Sequence, residues 1–367
     1  VSDGATAPAS NDLQQYLRAL VELSGSDLHC KVGSPPRVRV NGRLIRLDVP
    51  ELTSADTEQM VAAVLRADLA EEFAKTNEAD FAHSLPGVGR FRVNAYRQRG
   101  SAGLVFRRVS TQPVPLEHLG LPPVVASLAL EPRGLVLVTG PTGSGKTTTL
   151  SSMIDHINST RECHIVTLED PIEVLHPDKL GMVNQREVRV DTRDFAAALR
   201  AAMRQDPDVI LVGEMRDAET VRAALSAAET GHLVLSTLHT SDAAETVARI
   251  VDFFPPHEQQ QVRLGLAGSL RGIICQRLVP RADQVGRVAV LELAVATPRV
   301  VQAVADPALT AGMHDVIADG AFYGMQTFDQ ALFGLVRDGV VSEEHALAAA
   351  THPHDLSVEL RRAGIGA

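Results

Sequence analysis

The stretch Gly140-Pro-Thr-Gly143-Ser-Gly145-Lys146-Thr147 constrains this chain more than any other. It fits GxxxxGK[ST] and sits between Gly134-Leu-Val-Leu-Val-Thr, a β-branched apolar run that reads as a buried strand, and Lys146 to Asn158, which reads as a helix. Strand, glycine-rich turn and helix in that order make a phosphate cradle. The glycines let successive backbone N–H groups turn inward, and the start of the helix adds its positive end. Lys146 would meet the β- and γ-phosphates of ATP, and the Thr147 hydroxyl would ligate Mg²⁺. Gly140, Pro141, Thr142, Gly143, Ser144, Gly145 and Thr148 complete the expected nucleotide contacts.

The sequence around this motif supplies the sheet it needs. His164-Ile-Val-Thr-Leu, Asp208-Val-Ile-Leu-Val and His232-Leu-Val-Leu-Ser-Thr are further short apolar runs, as expected of strands buried on both faces of a largely parallel sheet. Helices are expected over Phe195–Gln205, Glu219–Thr230 and Glu245–Phe254. From Pro256 onward the pattern is mostly helical, with one strand-like run at Arg287-Val-Ala-Val-Leu.

Acids fall where such strands end. Asp208-Val-Ile-Leu-Val-Gly-Glu214 closes an apolar strand with a carboxylate, which in a parallel sheet lies beside the phosphate loop and can hold the metal or its water shell. Glu169-Asp-Pro-Ile-Glu173 closes another, and either Glu169 or Glu173 is suited to orient or deprotonate an attacking water. His239 ends the strand that His232 begins and is expected at the same edge, as a sensor of the γ-phosphate. The two histidines fall on opposite strand faces by parity, which disfavours a shared metal.

Ahead of this half lies a mixed α+β region, residues 11–109, following a tail at 1–10 that is expected to be disordered and does not read as a signal peptide. Asp12 to Leu23 has one apolar helical face, and Asn41-Gly42 is a hairpin turn between Arg37-Val-Arg-Val and Leu44-Ile-Arg-Leu. Thr53 to Phe73 is expected to be one helix, and Arg90 to Tyr96 alternates strictly beside a partner strand over Gly103–Val109. Arg90, Arg92, Arg97, Arg99, Arg107 and Arg108 cluster here. They read either as a solvated basic face or as a source of positive charge for phosphoryl transfer. Residues 110–120, with Pro113 and Pro115, are expected to be a linker, and 121–367 the phosphate-binding domain with its helical C-terminal region.

Composition removes other classes. Its 367 residues suit two domains, and 35 basic against 45 acidic residues leave a charge of −10, unfavourable for a general nucleic-acid or anionic-membrane binder. Aromatics are 4% with no Trp, too few for a base-stacking surface. No apolar run reaches the roughly 18–20 residues that span a bilayer. Cys30, Cys163 and Cys275 are far apart and form no CxxC pair, so buried, reduced thiols are expected rather than a zinc module.

Taken together, the motifs resemble those of the PilT-type ATPases of type IV pilus retraction, within the secretion and traffic ATPase superfamily. The resemblance rests on Ser26-Asp-Leu-His, Gly33-Ser-Pro-Pro, Gly89-Arg-Phe-Arg-Val-Asn, Gly140 to Thr149, Glu169 to Glu173, Asn184-Gln-Arg-Glu-Val, Asp206 to Asp217, Ala228 to His232 and Thr237-Leu-His-Thr240, in register over nearly the whole chain. It implies an α/β protein with a PAS-like N-terminal domain and a RecA-like ATPase core. It also implies a homohexameric ring at the cytoplasmic face of the inner membrane, engaging a pilus platform protein and driving pilin disassembly and twitching motility with ATP and Mg²⁺. Under that resemblance Gly140 to Thr147 is the Walker A loop, Glu169 to Glu173 the acidic box, Glu214 the Walker B acid, and His232 with His239 the histidine box. Arg92 and Arg107 are arginines offered to nucleotide. Gly324 to Gln330 matches the family's C-terminal segment, whereas Pro298 to Ala305 only loosely echoes its retraction motif. An accessory, PilU-like ATPase and a nucleotide-gated scaffold without productive turnover are the alternatives.

Overall fold

Asn41 and Gly42 both take positive φ, 47° and 80°, which is the twist a two-residue hairpin needs. They join two strands of the first of two compact units into which the chain divides, between residues 111 and 112. The structure, a computed structural model, describes residues 13–110, 112–283 and 285–365; the expected disordered tail at 1–10 lies outside the described residues.

In the first unit, six antiparallel strands run in the order β3-β2-β1-β6-β5-β4. They are β1 (Asp27–Lys31), β2 (Arg37–Val40), β3 (Arg43–Arg46), β4 (Glu78–Leu85), β5 (Gly89–Gln98) and β6 (Ser101–Arg108). β4 was not anticipated, although Ala79, Phe81 and Leu85 give it an alternating buried face. Helix α1 (Leu13–Glu22) sends Leu17 and Leu20 into the same core as Phe91, Leu104 and Phe106.

The helix expected over Thr53–Phe73 is two helices, α2 (Ser54–Val64) and α3 (Ala67–Thr76), separated by Leu65 and Arg66 in extended conformation. Thr53 caps α2 in a reciprocal box with Asp56. The break has a packing cause. At about 100° per residue, a continuous helix would turn Phe73 roughly 180° away from Val64. Both are buried, so the break resets the register.

The second unit holds a seven-stranded sheet in the order β13-β12-β7-β11-β10-β8-β9. Its strands are β7 (Gly134–Thr139), β8 (His164–Glu169), β9 (Met182–Glu187), β10 (Val209–Val212), β11 (Leu233–Leu238), β12 (Leu270–Pro280) and β13 (Arg287–Val295). All neighbours are parallel except β12 and β13. Its helices begin with α4 (Val124–Ala129), α5 (Lys146–Thr160), α6 (Phe195–Ala202), α7 (Ala218–Glu229), α8 (Ala243–Asp252) and α9 (Pro256–Ser269). Every residue of β7 and β11 is buried, and alternate side chains serve two cores. Val136 and Val138 pack with α5, while Leu135 and Leu137 pack with the α7 side.

β12 is an eleven-residue strand inside a region expected to be helical. Helix α9 ends at Ser269 and β12 begins at Leu270 with no turn between them, although Gly268 and Gly272 flank the change of period. Six short α-helices and one 3-10 turn (Ala321–Tyr323) follow between Pro298 and Arg362. The stretch expected to be a linker packs on the second unit from Gln112. Leu116 is buried in the α5 core, and the Val114 carbonyl accepts from Ser152 Oγ at 2.5 Å. All three cysteines are free thiols, but Cys163 is only partly buried because it sits at the mouth of β8.

Candidate active site

β7 lies at the point where the strand order reverses, with β11 on one side and β12 on the other. In a parallel sheet a crevice opens outside the carboxyl ends of the strands at such a point. Four segments reach that edge: the glycine loop after β7, the acidic loop after β8, Gly213-Glu214 after β10 and His239 after β11. They enclose a crevice of about 560 Å³ lined among others by Thr142, Lys146, Thr147, Thr148, Glu169, Glu173, Glu214 and His239.

The glycine loop is shaped by its backbone. Gly140, Gly143 and Gly145 have φ of 143°, 81° and 91°, a region that strains any side chain. A Cβ on Gly140 would also run into the Gln276 carbonyl oxygen and the Ser144 hydroxyl. Gly140→Ala should therefore destabilise the protein by about 1–3 kcal/mol or more and weaken nucleotide binding. Thermal unfolding and a nucleotide titration check this, and an unchanged midpoint would contradict it. Helix α5 begins without a side-chain cap, so the N–H groups of its first turn are left for an anion. Lys146 Nζ donates back to the carbonyls of Gly140 at 2.7 Å and Pro141 at 3.1 Å. Its partial burial lowers its pKa from the ordinary lysine value, an effect the Glu214 charge opposes.

Gln276 was not foreseen. It stands on β12 behind the loop, where its amide donates to the Ser144 carbonyl at 2.7 Å and accepts from Thr149 Oγ1 at 2.7 Å. A lone amide in the apolar run Ile-Ile-Cys-Gln was the available signal.

Glu214 accepts from Arg216 at 2.7 Å and faces His239 Nε2 at 3.3 Å. Arg216, also unforeseen, thereby brings a second cation to the crevice. The two glutamates of the acidic loop differ. Glu169 takes donors from Thr167 Oγ1 at 2.6 Å and from Gln185 Nε2 at 3.0 Å. Burial raises its pKa above the usual glutamate range. Those donors pull the other way, and the Glu173 charge adds to the rise. Glu173 itself is exposed on the crevice wall.

The structure does not bring His232 to this crevice. It precedes β11 at the amino ends of the strands, where its ring Nδ1 meets the Ala227 carbonyl at 2.9 Å at the end of α7. Arg92 and Arg107 lie side by side in the first unit, paired across β5 and β6. Arg107 donates to the buried Asp27 carboxylate at 2.9 Å. Arg97 is a packing residue, paired with Glu58 at 2.6 Å and set over the Phe73 ring.

Comparison with known proteins decides the family. A model described as type II/IV secretion system protein matches residues 5–322. The type IV pilus retraction ATPase PilT of Pseudomonas aeruginosa is 45% identical over 344 residues, covering 94% of this chain and 99% of that protein. The chain belongs to the type II/IV secretion system protein family. Like its named relatives in this family it is an ATPase. The type IV pilus ATPase PilU of the same organism is 41% identical, covering 95% of this chain and 91% of that protein. A crystal structure of the pilus retraction motor PilT with bound ADP superposes with a TM-score of 0.87 at 43% identity, covering 95% of this chain and 99% of that one. The nucleotide bound in that structure agrees with a phosphate-binding crevice in this chain.

Proposed function

We propose that the chain is a ring-forming motor, a homohexamer, that hydrolyses ATP to drive retraction of a type IV pilus and hence twitching motility. It works at the cytoplasmic face of the inner membrane against a platform protein. The observation that carries this reading is the convergence of the glycine loop, the acidic loop, Glu214 and His239 on one sheet edge, in a chain alike over nearly its full length to a retraction ATPase. Among the described residues no helix is long and apolar enough to cross a membrane.

The residues divide the chemistry. The glycine loop and the start of α5 bind the phosphates, and Lys146 stabilises charge on the transferring phosphoryl group. Thr147 and Glu214 both line the crevice, are hard oxygen donors and suit Mg²⁺. Among the described residues no group of three or more His, Cys, Asp or Glu is placed to hold a metal without the nucleotide. Bound there, Mg²⁺ would neutralise phosphate charge. Glu173, exposed in the crevice, takes the proton of the attacking water, and Glu169 holds the loop that carries it. His239, facing Glu214, reads the γ-phosphate.

The test is twitching in a strain lacking both its retraction motor and its accessory ATPase, with native mass measurement of the purified chain. Restored twitching and a six-copy mass are expected. Twitching restored only when a separate retraction motor is present would assign the accessory role instead, and a monomeric active enzyme would contradict the ring.

A further inference from the structure

The run Asn184-Gln-Arg-Glu-Val has no part in the chemistry assigned so far. It forms most of β9, an edge strand paired in parallel with β8, with Gln185 opposite Thr167 and Glu187 opposite Glu169. Gln185 and Glu187 are two apart and so share a strand face. Both side chains act on the acidic loop. The Gln185 amide donates to Glu169 Oε1 at 3.0 Å and to the Val174 carbonyl at 2.8 Å, and its oxygen accepts the His176 N–H at 2.8 Å. The buried Glu187 carboxylate accepts the Ile172 N–H at 3.1 Å. The anchored backbone groups therefore flank Glu173 on both sides, at 172 and at 174.

We propose that Gln185, with Glu187, is a positioning residue that fixes the backbone on either side of Glu173 and so sets where its carboxylate stands over the nucleotide crevice. The amide suits the task because it donates and accepts at once. A carboxylate at 185 would lose both donor bonds and set a second charge beside Glu169. Misplacing a catalytic group by about 1 Å can cost on the order of a hundredfold in rate without changing what binds the substrate. The phosphate-binding groups lie on a different loop, so Gln185 should act on turnover and not on affinity. The far end of the acidic loop is pinned separately. Asn158 of α5 donates to the Pro177 carbonyl at 2.8 Å and accepts the Lys179 N–H at 3.2 Å. Loss of the Gln185 bonds should thus shift the loop without releasing it.

The inference rests on the reading that Glu173 serves the water, and the experiment separates the two. Steady-state ATP turnover and the affinity for a fluorescent ATP analogue are measured on the full chain for wild type, Glu173→Gln, Gln185→Leu and Gln185→Glu. Both Gln185 variants should lower kcat by about tenfold or more, part of the roughly 100- to 10,000-fold a placed base supplies, with affinity within about twofold. If Glu173→Gln is inactive while both Gln185 variants turn over like wild type, the positioning role is overturned. Equal losses of kcat and affinity together with a lowered melting temperature would also overturn it, since they mark a merely structural residue. Full turnover by Glu173→Gln removes the reading beneath it. Should Gln185→Leu fail to fold, the near-isosteric Gln185→Glu decides on the same terms.

Discussion

Lys146→Ala is expected to abolish ATP turnover while leaving the fold intact. The Lys146 ammonium stands in the crevice wall and spends its donors on two carbonyls of its own loop, Gly140 and Pro141. Those are groups that a phosphate would compete with for the same cation. A cation on the transferring phosphoryl group is worth about a thousandfold or more in rate, so kcat should fall by at least that factor. The side chain is only partly buried and its packing is not part of either core, so stability should change by no more than about 1 kcal/mol. Phosphate release and thermal unfolding on the same preparation read both effects. Turnover within a few-fold of wild type would remove Lys146 from the chemistry, and a collapsed melting curve would remove the claim that its role is chemical.

The second large effect is expected at Glu173, and it orders the two acids of the loop. Glu173→Gln keeps shape and removes the base, so kcat should fall by roughly 100- to 10,000-fold with ATP still bound. Glu169→Gln should cost less. Its carboxylate already receives Thr167 and Gln185, and an amide oxygen can keep some of these bonds. Single-turnover hydrolysis by both variants checks the order. A Glu169→Gln enzyme slower than Glu173→Gln would reverse the two roles.

These roles were only partly legible in the sequence. The glycine loop, Glu214 and the acid pair could be found because each is local: a fixed spacing at the end of an apolar run, in a sheet whose parallel strands bring their ends together. Which of the two glutamates is held and which is exposed depends on Gln185, sixteen residues beyond Glu169, and no spacing rule links them. Gln276 was hidden for a related reason. It acts across the sheet from β12, a strand that begins at the residue following a helix without a punctuating turn. The two histidines show what parity leaves out. It separates their faces, but strand direction separates them further, by roughly 20 Å at about 3.3 Å per residue. Only His239 lies at the carboxyl edge. The break between α2 and α3 was likewise set by a tertiary demand, the burial of both Val64 and Phe73, and not by any helix-breaking residue.

The central claim is that hydrolysis in this crevice is what shortens the pilus. The most direct measurement follows fluorescently labelled pili in a strain without its own retraction ATPases, carrying in turn the wild-type chain, Glu169→Gln, Glu173→Gln and Lys146→Ala. Retraction speed should fall in step with the kcat of each purified variant and vanish for Lys146→Ala. Pili that shorten normally with a variant that has no turnover would contradict it, as would a wild-type chain that hydrolyses ATP in this strain while its pili stay extended.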